Sequence, residues 1–475
     1  MVHYTTRMTQ SARLASLYLR EAITRRSGCL AVAFVFYGLC AIAFLAINVP
    51  PFQNPDEPAH MLRAYQISEG GIIARRFTFA GQIESGGKVD PVILQAAAQL
   101  NSLPFQQNAK LNRKDEMPRI RWSHIRSFED FPNSAIYPPQ FYLPAAAAVW
   151  IGRISGFTVD HTLILARLLT GMAAIIIGTI AIAFADAAAP WIFMILTLPM
   201  SLSLMASDSQ DALLVSSSAL AVALYIQAFR VPVICRPKLL MALGAVLGMI
   251  FMARPPLAAA SVLPFSAANA KWRWRIVASI IPVVLVLAWS IIVSRTSMVN
   301  NGAFVGAEPS RQIAFIVTHP LAVAQVFYNS VTQESRNLFG EFVGVLGWLD
   351  TVLPIWYYKV AAWMLVIAAL ASMCGTKGWK VGGFGYALII LGLLVSILGI
   401  FFIQYISWTA PAASIIAGVQ GRYFLSVALT AAVLLPAFGS RWTRIGDCLT
   451  ALIGMFPIVS LAVIMHVIVL RYYLG

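Results

Sequence analysis

Runs of about twenty apolar residues with almost no charge recur along this chain, and a helix of that length crosses a hydrocarbon core of about 30 Å. Of its 475 residues, 59% are apolar and 11% charged, against roughly 25% charged in soluble domains. A soluble enzyme is thereby excluded. The pattern predicts an all-α integral membrane protein of about eleven transmembrane helices.

The first run, 28–49, follows Arg20, Arg25 and Arg26. It exceeds the roughly 7–15 apolar residues of a cleaved signal sequence, so it reads as a retained helix with residues 1–27 cytoplasmic. A net charge of +15 would suit nucleic acid if it lay on one face, but the Lys and Arg residues are scattered through short loops, so no nucleic-acid partner is expected. Those loops instead report topology. Arg230, Arg236 and Lys238 form one basic group, followed by Lys271, Arg273 and Arg275, then Lys377 and Lys380, then Arg441 and Arg444. The groups recur after every second span if 137–154, which opens with Pro138-Pro139 and is short, lies at the interface as a helix with Tyr137 and Tyr142 near its start.

The expected organisation is then a large external loop over 50–161, helices two to seven over 162–294, a second external segment over 295–353, and helices eight to eleven over 354–475. The spans fall near 162–185, 190–206, 210–229, 238–253, 255–269, 275–294, 354–373, 383–404, 421–438 and 446–470, with the C-terminus external. The stretch 320–346 has the pattern of one or two amphipathic helices. Cys29, Cys40, Cys235, Cys374 and Cys448 lack metal-type spacing and avoid external loops, so neither disulfide nor structural zinc is expected.

Chemistry concentrates at the external ends of the spans. Prolines flank Asp56 and Glu57 in the segment that leaves the first helix, with His60 one helical turn on. Asp208 and Asp211 lie in the turn between the third and fourth spans, on the same face, where they also suit helix capping. Arg254 and Arg422 reach that level too, as phosphate ligands or as interfacial anchors. A carboxylate can take the proton of an attacking hydroxyl, and an arginine can stabilise a leaving phosphate. Arg119, Arg121 and Arg126 read as a solvated face, Asp350 as a cap or an acceptor contact, and Trp356, Tyr357 and Tyr358 as an interface belt.

In these features the chain resembles the GT-C superfamily of membrane glycosyltransferases, with an acidic residue just past the first span and interfacial helices before the second. Asn54-Pro55-Asp56-Glu57-Pro58-Ala59-His60, Tyr137-Pro138-Pro139-Gln140-Phe141-Tyr142-Leu143-Pro144, Ser207-Asp208-Ser209-Gln210-Asp211 and Gly421-Arg422-Tyr423-Phe424 also resemble a bacterial family of predicted multi-spanning membrane proteins of unknown function. The resemblance implies a GT-C-like fold in the bacterial inner membrane. The carboxylate and arginine set beside this resemblance leads to the expectation of an inverting hexosyl or pentosyl transferase using a polyprenyl-phosphate sugar donor and a lipid or glycan acceptor, although donor and acceptor do not transfer from the superfamily. Asp56 or Glu57 would be the base, Asp208, Asp211 and His60 would form the acceptor or second acidic site, and Arg422 and Arg254 would bind donor phosphate. Some relatives hold a divalent cation, Mg or Mn, which here would fall to Asp56 and Asp208; others work without one. A transporter, flippase or exporter of a lipid-linked saccharide is the main alternative, and an assembly scaffold a third.

Overall fold

The computed structural model describes residues 25–79, 81–111, 119–267, 269–299, 306–375 and 379–474. Most of the N-terminal segment, with Arg20, and Lys377 lie outside the described residues. Helix α1 (Arg25–Asn48) ends at Pro50-Pro51, which cannot continue its hydrogen bonding. Along the first loop come α2 (Glu57–Ser68), then strands β1 (Arg75–Phe79), β2 (Gln82–Val89) and β3 (Ser127–Asp130), then α3 (Leu143–Ile154). The remaining long helices are α4 (Val159–Phe184), α5 (Asp211–Arg230), α6 (Arg236–Ala253), α7 (Trp272–Thr296), α8 (Pro309–Thr318), α9 (Pro320–Val343), α10 (Ile355–Met373), α11 (Gly383–Ser407) and α12 (Thr443–Tyr472).

Among the described residues eight helices are long and apolar enough to cross a bilayer, or ten if each of two bent pairs is one span. Those eight coincide with eight of the expected spans. The other three expected spans are not regular helices. The 190–206 stretch breaks into Asp186–Leu196 and Pro199–Met205, bent by 77°, because Pro199 offers no N–H to the preceding turn. The 255–269 stretch is a 3₁₀ turn at Pro255–Ser261 followed by a short helix at Val262–Ser266, with three prolines in twelve residues. The 421–438 stretch is a helical segment over Gly421–Leu434 that stops short of Pro436.

Each irregular segment still joins opposite ends of the bundle. At one end, Arg26 bonds to the Cys374 carbonyl at 2.7 Å and pairs with Asp447, Arg236 bonds to the Asn269 carbonyl at 2.6 Å, and the Phe438 amide bonds to the Met373 carbonyl at 2.8 Å. At the other end, here the loop face, the Leu111 amide bonds to the Tyr472 carbonyl at 2.8 Å and Trp289 to the Ile136 carbonyl at 2.9 Å. The turn at Asp186, which carries no Lys or Arg, sits at the first end with Arg230 3.5 Å away.

The all-α expectation needs a second correction. Strands β1, β2 and β3 form an antiparallel sheet in that order, with Arg75 opposite Gly86 and Gly86 opposite Asp130, and a two-stranded ladder joins β4 (Val345–Leu346) to β5 (Thr351–Val352). Asp90 fastens the sheet to the 123–124 turn by accepting the Ser123 and His124 amides at 2.9 and 3.0 Å. Helix α3 has twelve residues, about 18 Å at 1.5 Å per residue, which is too short to cross. Its alanine-rich face packs on α2 and α4, while Leu143, Trp150 and Ile154 point outward.

A buried ion pair closes the fold at the loop face. Arg471, near the end of α12, donates to Asp350 at 2.9 Å and to the Leu103 carbonyl at 2.6 Å, with both charged side chains 2% exposed. Asp350 also accepts the Phe105 amide at 2.9 Å, so the last helix, the first loop and the β4–β5 turn meet at one carboxylate. Removing one partner of such a pair leaves a lone buried charge and typically costs about 3–5 kcal/mol. Arg471→Met should therefore lower the midpoint of thermal unfolding in detergent. Adding Asp350→Leu should recover part of that loss, which a double-mutant cycle would measure.

Candidate functional site

The site is assembled around a charge that the apolar span α4 buries. Arg167 lies within that helix, and its side chain and that of Glu57 are both 0% exposed. Its Nε and Nη2 donate to the two Glu57 carboxylate oxygens at 2.8 and 2.6 Å. Its remaining N–H groups reach the carbonyls of Ala46 at 3.1 Å, Val49 at 2.7 Å and Pro50 at 3.0 Å. The Ala46 carbonyl is one that Pro50, four residues on, leaves without a helical N–H, so the guanidinium satisfies part of the helix terminus as well as the carboxylate. Glu57 Oε1 further accepts from Asn54 Nδ2 at 3.0 Å and from the Asp208 amide at 3.2 Å.

Glu57, expected as one of two candidate bases, is thus fully engaged and buried away from solvent. Asp56 is the opposite case. It precedes α2 in the left-handed region, at φ 59°, which turns its side chain away from the Glu57 cluster. Its side chain is 41% exposed and lines a cavity of about 250 Å³.

That cavity has one polar end and apolar walls. Arg254 donates to Asp211 Oδ1 at 2.7 Å and lies over the Tyr423 ring at 4.3 Å. Arg422 stands between two carboxylates, with Nη1 3.9 Å from Asp211 Oδ2 and Nη2 3.9 Å from Asp56 Oδ2, and is oriented by Gln420 at 2.7 Å. The walls include Leu214, Val215, Ile400 and Ile403, and Ile403 and Ser407 on α11 are exposed. All three irregular crossing segments contribute to the lining, through Leu204, through Pro255 to Leu257, and through Arg422, Tyr423 and Ser426.

Tyr137 and Tyr142 border this cluster through His60. The His60 ring is 2.6 Å through Nδ1 from the Tyr142 hydroxyl and stacks on Tyr137, with ring centroids 6.3 Å apart. Burial holds the imidazole below its usual range, and burial pushes the Tyr137 phenol up to about 12. Arg63, fully buried on α2, donates to the Tyr137 carbonyl at 2.9 Å and fixes this segment over the cavity.

The structure therefore brings Asp56, Asp211, Arg254, Arg422 and Tyr137 to one cavity, with His60 beside them. Asp208 is near but apart: it is 0% exposed, does not line the cavity, and neither carboxylate oxygen accepts a hydrogen bond, so it does not cap α5. Among the described residues no group of three or more His, Cys, Asp and Glu is placed to hold a metal. The Asp56 and Asp208 pair does not fit a divalent cation, because one faces the cavity beside Arg422 and the other is sealed behind it. Arg167 was not anticipated; a lone Arg inside a 26-residue apolar helix is the signal that would have found it.

The sequence profile of one family matches residues 39–431, a stretch that includes Asp56, Arg167, Asp211, Arg254 and Arg422. The chain belongs to the family described as predicted membrane protein (DUF2142). No curated protein and no solved structure matches it.

Burial, reinforced by the neighbouring Glu57 carboxylate, pushes Asp208 up to about 8. A carboxyl with a raised folded-state pKa holds a proton that the unfolded chain releases near pH 4, so its stabilising contribution is complete below that pH and is lost as pH rises through about 8. Asp208→Asn, which mimics the protonated form, should gain less thermal stability over the parent chain at pH 5 than at pH 9. It should raise the unfolding midpoint at pH 9 by at least ~2 °C over the parent chain. Equal midpoint differences at the two pH values would contradict the buried neutral acid.

Proposed function

We propose that this membrane protein is a glycosyltransferase of the GT-C type, moving a hexosyl or pentosyl group from a polyprenyl-phosphate donor to a lipid or glycan acceptor. In this reading it sits in a bacterial inner membrane with its loop face external and its N-terminus cytoplasmic. The observation that carries the proposal is the pairing of the exposed Asp56 carboxylate with Arg422, 3.9 Å apart, at the polar end of an apolar-walled cavity.

Asp56 acts as general base on the acceptor hydroxyl, whose oxygen attacks the anomeric carbon as the bond from that carbon to the phosphate oxygen breaks. The proton passes to Asp56, and the lipid phosphate departs as an anion. Arg422 and Arg254 stabilise that charge by preorganised hydrogen bonding in a site of low dielectric. The polyprenyl chain lies along the apolar wall toward the exposed flank of α11. Direct displacement inverts the anomeric centre. Asp211 holds the two arginines, Tyr137 faces the acceptor from the cavity lining with His60 stacked on it, and Glu57 is structural.

Transfer from a radiolabelled polyprenyl-phosphate sugar, by purified protein in liposomes, separates the neighbouring carboxylates. Asp56→Asn should keep the fold and lose about 10²–10⁴-fold in rate, the usual contribution of a general base. Glu57→Gln should instead unfold at lower temperature by breaking the Arg167 pair. Undiminished transfer by Asp56→Asn would refute the assignment of the base. Movement of the labelled lipid across sealed vesicles with no new glycosidic bond would favour a flippase.

A further inference from the structure

Helices α8 and α9 meet at His319-Pro320 with a bend of 110°, and each carries an apolar stripe that none of the described residues covers. Val317 is 74% exposed, Leu321 86%, Tyr328 65% and Val331 49%. On α9 the residues Leu321, Ala324, Tyr328 and Val331 recur at helical spacing and so share one face. The opposite face of the elbow packs against a membrane span. Phe327 meets Phe401 and Tyr405 of α11 with ring centroids 6.1 and 6.3 Å apart, and Phe315, Ile316, Val323 and Ile397 belong to the same cluster.

That contact sets the depth of the elbow. Tyr405, Phe401 and Ile397 lie about 3, 9 and 15 Å along α11 from its loop-face end at Ser407, at 1.5 Å per residue. The 25-residue α11 is about 37 Å long and overhangs a 30 Å core by about 4 Å at each end, so most of this contact lies inside the hydrocarbon. The base of the arm is held at the loop face, where the Glu341 carboxylate accepts the Gly421 amide at 2.7 Å. A Cβ at Gly421 would collide with the Leu338 carbonyl, so α9 presses directly on the backbone that carries Arg422. Leu394, Leu398 and Phe402 of α11, interleaved in sequence with the residues that the elbow contacts, are exposed.

We propose that residues 309–343 form a re-entrant arm inserted in the loop-face leaflet, with acyl chains covering the stripe of Val317, Leu321, Tyr328 and Val331. The occupant is lipid because the stripe is apolar and lies beside a span at hydrocarbon depth. An external helix pair, as the sequence pattern predicts, would leave that stripe in water. A second copy of the chain would instead bury it from both lipid and water. This inference concerns membrane placement only and does not rest on glycosyl transfer.

The test is nitroxide labelling in liposomes of a variant whose five native cysteines are replaced. Labels go on Val317→Cys, Leu321→Cys and Tyr328→Cys in separate proteins. Ile125→Cys in the first loop, at a residue 69% exposed, serves as the aqueous reference, and Leu398→Cys on α11, at one 54% exposed, as the lipid reference. Each arm label should relax strongly with dissolved oxygen and weakly with a water-soluble nickel chelate, matching Leu398→Cys. Relaxation like that of Ile125→Cys would overturn the proposal in favour of an external arm. Protection from both reagents at two or more arm positions would overturn it in favour of a protein partner.

Discussion

The loop face is organised by one buried interaction, the bidentate pair between Arg167 and Glu57. A guanidinium inside an apolar span is costly unless its donors find partners, and here the donors reach a carboxylate and three backbone carbonyls. The pair thereby joins the end of α1, the start of α2, the first third of α4 and the turn before α5. The orientation of Asp56 follows from this anchoring: with its neighbour pinned inward and the backbone in the left-handed region, its own carboxylate is turned to the cavity.

The second layer of the site alternates in charge. Asp211 lies between Arg254 and Arg422, and Arg422 lies between Asp211 and Asp56. Each interior charge has an opposite neighbour, while Asp56 at the end of the series retains exposure. An anion entering beside Arg422 would compete with Asp56 for that guanidinium, so ligand binding and the freedom of the Asp56 carboxylate are linked through one side chain.

Much of this was legible from residue pattern. Long uncharged runs located eight helices to within a few residues, and alternation of basic loops placed Asp56, Asp211, Arg254 and Arg422 at one level. Hydropathy could not show that 190–206, 255–269 and 421–438 are broken, because a window average is blind to the amides that Pro199, Pro255, Pro256 and Pro264 lack. The β1–β3 sheet escaped notice because its strands are short, charged and separated from β3 by a long excursion. Glu57 and Asp56 are adjacent and chemically alike in sequence, and only the position of Arg167 separates an anchor from an accessible acid. Asp208 drew attention as an acidic residue, although its environment favours the neutral form.

The broken crossings have a consequence for the medium around the ligand. Irregular backbone below a membrane surface persists only where protein shelters it or water reaches it, and all three interrupted segments border the same hollow. The charged groups that border the hollow beside them, Asp56, Asp211, Arg254 and Arg422, would admit a wet notch into the otherwise oily interior. A molecule with a charged head and a long greasy tail could then sink its head beneath the plane of surrounding headgroups without shedding its hydration, while the tail never leaves the bilayer.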